Sequence, residues 1–138
     1  MNKQNTEFLY DKYPEIFRDH NKSMQETCMC WGFECSDGWF NLINKLCSDI
    51  YSIMKKHGIL VVADQVKEKF GGLRFYIHID GDTHQSIYDK VYELIDKAEE
   101  KSFRICEVCG AEGEVRGKQW LTTRCDKCYD EEEKKKYT

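Results

Sequence analysis

Apolar positions along this chain recur first every three to four residues, then every second residue, then every three to four again. That succession sets the order of elements the sequence predicts. Over residues 37–57, Trp39, Phe40, Ile43, Leu46, Cys47, Ile50, Ile53 and Met54 share a helical face, with Ser36 or Asp37 available as N-cap and Gly58 as the stop. Over residues 83–103, Ile87, Val91, Leu94, Ile95 and Ala98 do the same, with Asp82 as N-cap and Gln85 three residues on. Between the helices, Ile59 to Phe70 and Leu73 to Asp80 are rich in β-branched and aromatic residues and flank Gly71-Gly72. This predicts an antiparallel hairpin over 59–80 with the two glycines as its turn.

The two ends of the chain are patterned less regularly. Phe8, Leu9, Tyr13, Ile16 and Phe17 suggest a short amphipathic helix interrupted at Pro14. Residues 21–36 have no period, yet they hold Cys28, Cys30, Trp31, Phe33 and Cys35, an unusual load of bulky and sulfur side chains for a loop. Residues 130–136 run from acids to lysines, as in a solvated last helix turn with Glu-to-Lys support.

Candidate chemistry begins with Cys106, Cys109, Cys125 and Cys128, two Cys-x-x-Cys pairs with fifteen residues between them. That spacing suits a four-thiolate Zn2+ site, and the segment between the pairs reads as two short strands around a Gly-Lys turn, the layout of a zinc ribbon. Two disulfides are the rival pairing, but no charged segment followed by an apolar signal core points to an oxidising compartment. A four-cysteine site leaves no coordination position for water or substrate, so the metal reads as a structural staple for a module of about thirty-five residues. The fold class expected is therefore α+β: a helix, hairpin and helix body over 1–103, then a zinc ribbon and charged tail over 104–138.

Composition narrows the field. The 138 residues carry 21 basic and 25 acidic side chains, a formal charge of −4, the wrong sign for non-specific coating of nucleic acid. The longest aliphatic run, Ile59 to Ala63, is far too short to span a membrane, so a reducing cytoplasm is the expected compartment.

With Gly71-Gly72 as turn, Phe70 would face Leu73, Glu68 Phe75, Val66 Ile77 and Asp64 Ile79 on the apolar side, where Glu68 needs a partner such as Arg104 or a bulge to re-aim it. The other side would pair Lys69 with Arg74, Lys67 with Tyr76 and Gln65 with His78. This set could bind phosphate or carboxylate while an aromatic ring stacks, or it could be an ordinary solvated face. Trp31, Phe33 and Trp39 read as packing residues or, on a loop, as a binding hot spot, with Glu34 and Asp37 between them. Cys28, Cys30, Cys35 and Cys47 lack paired spacing, and a second metal site there would need His20 or His57.

Three segments together, Cys30-Trp31-Gly32-Phe33-Glu34-Cys35 with Asp37-Gly38-Trp39, Val66 to Tyr76, and Ile105 to Gly110, resemble a group of small, mostly uncharacterised proteins encoded by bacteriophages and prophages. Ser36 stands where that group usually has glycine. The resemblance implies a phage accessory protein acting in the bacterial cytoplasm and assigns no reaction. With no phosphate loop, nucleophile elbow or paired-carboxylate motif, the sequence favours a non-enzymatic protein that binds a host macromolecule, such as a component of bacterial defence. Trp31, Glu34, Lys67, Lys69, Arg74 and Tyr76 are its candidate surface. A small anionic ligand or nucleotide held on the hairpin, and nucleic acid held by the ribbon, are the other readings. Glu68 and His78 could serve as acid and base only from opposite faces of the hairpin.

Overall fold

The computed structural model describes residues 1–136. Helix α1 spans Lys3–Lys12, strand β1 Phe33–Glu34, helix α2 Phe40–His57, strands β2 and β3 Leu60–Lys69 and Gly72–Asp80, and helix α3 Gln85–Ser102. The C-terminal module adds strands β4 (Glu114–Arg116) and β5 (Thr122–Arg124) and helix α4 (Asp126–Lys136). The class is α+β as expected, with three tight helical turns at Arg18–Asn21, Cys28–Trp31 and Asp37–Trp39 organising the segment that lacked a period.

Both long helices form where the apolar period placed them. Helix α2 buries Ile43, Leu46, Cys47, Ile50 and Met54, and Gly58 ends it by returning its N–H to the Met54 carbonyl at 2.9 Å. Helix α3 begins later than its candidate cap. His84 rather than Asp82 precedes it, the imidazole accepting from the Ser86 N–H at 3.2 Å. The charged residues 130–136 are helical as expected, forming the end of an eleven-residue helix that begins at Asp126.

The hairpin supplies two strands of a three-stranded sheet, in the order β1-β2-β3. Strand β1 runs parallel to β2, pairing Phe33 with Val66 and Glu34 with Lys67, and α2 makes the crossover between them. At two residues β1 is too short to carry a period of its own, so only the fold discloses it.

Within the hairpin, Lys69 pairs with Gly72, so the two turn residues are Phe70 and Gly71 rather than Gly71 and Gly72. Their φ values are +55° and +86°, the paired positive φ of a type I′ turn. Gly72 has a different duty: a Cβ built there would lie 2.5 Å from the Phe103 ring. Only glycine lets the strand pass beneath that ring. Each β2 residue near the turn thus meets a partner two places nearer the turn than expected, which preserves the faces because side chains alternate with period two. Val66 faces Phe75 and Glu68 faces Leu73 on the core side, while Lys67 faces Arg74 and Gln65 faces Tyr76 outside. The register breaks between Ala63 and Gln65, leaving Asp64 in a bulge.

The outer edge of the sheet is covered. Helix α3 runs along β3 and packs on α2, and Ser102 Oγ accepts from the Leu73 N–H at 2.9 Å. On the other side the Ala63 N–H donates to the Ile16 carbonyl at 2.8 Å, tying the N-terminal segment to β2. Leu9, Tyr13, Ile16 and Phe17 consequently belong to the main core together with Met29, Phe33 and Trp39.

The C-terminal module is joined to this body through polar bonds at two places. Glu107, buried in the junction, accepts from the Ser36 N–H at 2.8 Å and from Arg124 at 3.1 Å, and its carbonyl accepts from the Gly38 N–H at 2.7 Å. A Cβ on Gly38 would fall 2.1 Å from the Cys106 carbonyl oxygen, so the chains approach more closely than any other residue permits. The Trp39 indole N–H adds a bond to the Ile105 carbonyl at 2.9 Å. At the second place, the buried Thr123 hydroxyl donates to the Gly71 carbonyl at 2.5 Å, so β5 grips the hairpin turn itself. Among the described residues no helix is long and apolar enough to cross a membrane.

Candidate metal centre and aromatic cleft

The sulfurs of Cys106, Cys109, Cys125 and Cys128 lie within 4.8 Å of one another, and all eight cysteines of the chain are free thiols. Four thiols so gathered could hold a metal ion, and an ion bound by all four would be closed to substrate. Two different turns deliver them. The first pair closes through the Gly110 N–H, which donates to the Cys106 carbonyl at 2.9 Å. The second pair straddles the start of α4, where the Cys128 N–H points at the Cys125 sulfur at 3.4 Å. Helical geometry there explains why that pair needs no following glycine.

The electrostatics of the cluster favour partial ionisation. Burial opposes the Cys106 thiolate, but backbone N–H groups of Cys109, Cys125 and Val108 outweigh it and bring the thiol down to about 7. Cys128 is pushed up by burial and by its three sulfur neighbours. One thiolate thus suppresses the next, a conflict that a bound cation removes.

The four unpaired cysteines do not make a second centre. Cys28 is exposed, Cys30 half-buried, and Cys35 and Cys47 lie in the core, and none of them belongs to a metal-sized group among the described residues. His20 instead stacks on Tyr10, with ring centroids 4.0 Å apart.

The outer face of the sheet carries Glu34, Lys67, Arg74 and Tyr76, so four of the six expected contacts converge there, with Gln65 among them. Its charges alternate across the strands. Glu34 lies beside Lys67 and accepts from Gln65 at 3.3 Å, and Arg74 reaches Glu99 of α3 at 3.1 Å. Those carboxylates offset the repulsion between Lys67 and Arg74, which sit directly opposite each other. Lys69 departs from the group, its ammonium 5.5 Å from the centroid of the Phe70 ring. The face is therefore mixed in charge rather than cationic.

Other expectations are redistributed. Trp31 is 61% exposed at the end of its helical turn. Asp37 is engaged within the fold, accepting from the Asn2 N–H at 2.7 Å and the Asn5 amide at 3.1 Å. Glu68 finds its partner in the turn, accepting from the Gly71 N–H at 2.7 Å, and neither Arg104 nor a local bulge is required. In the ribbon, Arg116 pairs with Asp126 and Glu114, and Arg124 with Glu107 and Glu132. Cations neutralised in this way offer little to a nucleic-acid backbone.

The site that sequence reasoning missed is a cleft of about 180 Å³ where hairpin and ribbon meet, lined by Glu68, Lys69, Phe70, Gln119, Trp120 and Leu121. Phe70 is 61% and Trp120 80% exposed. Phe70 reads from sequence as an ordinary strand residue, and Trp120 as part of a ribbon strand. A usable signal was present in Trp120 alone: a tryptophan in a module too small to enclose it has only a surface to occupy.

The chain matches no family model, no curated protein and no solved structure in comparisons with known proteins.

Proposed function

We propose that the chain is a phage-encoded, non-enzymatic accessory protein that binds a host protein, an inhibitor of bacterial defence being the role that best fits its resemblance. Phe70 and Trp120 serve as its apolar anchors, and Zn2+ bound by Cys106, Cys109, Cys125 and Cys128 holds the ribbon that carries Trp120. The phage assignment rests on the three sequence segments described above, and the choice of zinc on four thiolate ligands.

One observation carries the binding reading: a bulky aromatic is held at positive φ and left in solvent. A phenylalanine at +55° is strained relative to glycine or asparagine and gains little burial here in return. Strain retained without a packing benefit is characteristic of sites that contact something else. Trp120 across the cleft supplies the second large ring, of the kind that dominates protein interfaces. Lys69 and Glu68 at its rim provide charge that can set partner and orientation.

The test is capture from bacterial lysate on the immobilised zinc-loaded protein, followed by Phe70→Asn and Trp120→Ala. A single stoichiometric partner, lost in both variants while zinc content stays unchanged, supports the reading. The same partner retained undiminished by both variants refutes it.

A second reading has its own support. The Nε of Arg74 is buried without a hydrogen-bond partner on the face that also holds Lys67 and Tyr76, as a site for a small anion or nucleotide requires. A nucleotide panel read by thermal shift, with Arg74→Ala as control, distinguishes it from the protein-binding reading.

A further inference from the structure

We propose a second cation site, separate from the cysteine cluster, in which Asp19, Asp64 and His78 bind a divalent transition-metal ion through mixed oxygen and nitrogen donors. Three distant stretches of chain meet to form it. Asp64 is the unpaired residue of the β2 bulge, His78 stands on β3, and Asp19 lies in the helical turn Arg18–Asn21. Their ligating atoms all lie within 4.8 Å of one another.

The bulge is what makes the site. In a regular strand Asp64 would point to the apolar side, as the alternation of Val66 and Glu68 requires. The extra residue re-aims it instead, and its backbone is fixed by the Thr27 hydroxyl at 3.4 Å and by the neighbouring Ala63–Ile16 bond. His78 Nδ1 then lies 2.6 Å from Asp64 Oδ1.

Asp19 supplies the independent sign of a missing ligand. The residue is only 4% exposed, and its Oδ1 is buried without a hydrogen-bond partner. Two cationic side chains approach that oxygen, Lys22 Nζ at 2.9 Å and Arg18 Nε at 3.4 Å, but neither makes a hydrogen bond to it. The Lys22 side chain is itself half-exposed and can return to water when a stronger cation arrives.

The surroundings of His78 match those of a metal-bound imidazole. Its second nitrogen, Nε2, lies 3.3 Å from Asp80 Oδ1, and Arg18 fixes the other Asp80 oxygen at 2.7 Å. Without an ion, the 2.6 Å contact between Nδ1 and the Asp64 carboxylate requires a proton between them; an ion bound there takes the place of that proton, and Asp80 stands on the far side of the ring to accept from Nε2. Asp19, Asp64 and Asp80 outnumber Arg18 and Lys22, so the pocket retains negative charge for a cation to neutralise.

Two carboxylates with one imidazole select manganese, iron, cobalt or zinc over calcium and magnesium, which favour all-oxygen cages. His78 and Asp64 are each partly open to solvent, so water completes the coordination. Unlike a four-thiolate centre, such an ion can exchange and can accept a further ligand.

Mn2+ is the probe, because it prefers oxygen and nitrogen donors and leaves zinc in the thiolate cluster undisturbed. Mn2+ is titrated by electron paramagnetic resonance into the full chain already carrying one zinc. One equivalent should bind, with affinity falling at least tenfold in Asp64→Asn and in His78→Ala and rising in Lys22→Ala. Retained zinc and an unchanged circular dichroism spectrum establish that each variant is folded. Asp19→Asn, which keeps the size of the side chain, serves should His78→Ala unfold. No bound Mn2+ in the wild-type protein, or binding unaffected by both ligand variants, overturns the proposal, as does weaker binding in Lys22→Ala.

Discussion

Replacing Phe70 by asparagine should make the protein more stable and abolish partner binding, two effects that a purely structural phenylalanine could not produce together. Phe70 occupies the first central position of a type I′ turn at φ +55°, followed by Gly71 at +86°. The left-handed conformation costs an ordinary L-residue about 1–2 kcal/mol, while asparagine tolerates it, and Asn-Gly is the preferred pair for this turn. Against that gain stands the contact with the Lys69 ammonium, 5.5 Å from the ring centroid, worth about 0.5–1 kcal/mol at an exposed site. A ring that is 61% exposed forfeits little hydrophobic burial when removed. The balance is a net stabilisation of roughly 0.5–1 kcal/mol, which for a chain of this size raises Tm by about 2–4 °C. Thermal unfolding of the zinc-loaded protein, followed by circular dichroism, reads the first effect, and lysate capture reads the second. A fall in Tm would mean that Phe70 supports the hairpin and is exposed for no reason connected with binding.

Three further outcomes follow from the same geometry. Gly38→Ala drives a Cβ to 2.1 Å from the Cys106 carbonyl oxygen, and should cost about 1–3 kcal/mol, with proteolysis beginning in the ribbon. Chelation of the metal should release the ribbon and expose the Trp39–Ile105 junction, seen as a red shift in tryptophan emission, while the α2–α3 helical signal persists; complete loss of helicity would contradict a ribbon that is stapled independently. Cys35 gives a pH dependence. Burial, reinforced by the Glu107 carboxylate, pushes its thiol from 9.0 up to about 12, so it is neutral in the fold where the unfolded chain has begun to ionise. Its contribution to stability is therefore complete below the unfolded value and lost as pH rises towards the folded one. Urea unfolding between about pH 8 and about pH 10.5 should show a steeper decline for the wild-type protein than for Cys35→Ala; parallel declines would count against this assignment.

The parts of this fold that were legible in the sequence are those set by local periodicity and spacing. Ile43, Leu46, Ile50 and Met54 identify α2 because one helical stripe must face a core, and the two Cys-x-x-Cys pairs identify their cluster because turn geometry brings their sulfurs together. What escaped is governed by contacts between remote segments. The choice of Phe70-Gly71 over Gly71-Gly72 as turn depends on Phe103, thirty-one residues beyond Gly72, whose ring leaves room for no side chain in the strand. Strand β1 exists only because α2 returns β2 to its side. Arg74 and Lys67 were recognisable as cations, but Glu99 and Glu34, which offset them, come from other elements.

The bond from Thr123 to the Gly71 carbonyl links the two halves of the proposed binding site. It joins β5, which leads directly into Cys125, to the carbonyl of the residue that follows Phe70. A hairpin whose turn contains a strained phenylalanine would otherwise be free to relax, since the Phe70 ring is mostly exposed and gains little packing that would hold it. By gripping Gly71 from the far side, the ribbon keeps the turn in the one conformation that holds Phe70 opposite Trp120. On the proposed reading, a metal held by the four thiols would act on recognition without touching the partner: it would order a loop bearing one aromatic and buttress the turn bearing the other. Thr123→Val separates this from simple stapling. It removes the hydroxyl and retains the volume, so the metal should stay bound. The Gly71 carbonyl loses a buried bond, at a cost of about 1–2 kcal/mol, and partner affinity should fall even though neither aromatic has changed. Undiminished affinity in that variant would show that the ribbon positions Trp120 alone, and that the hairpin turn holds its shape unaided.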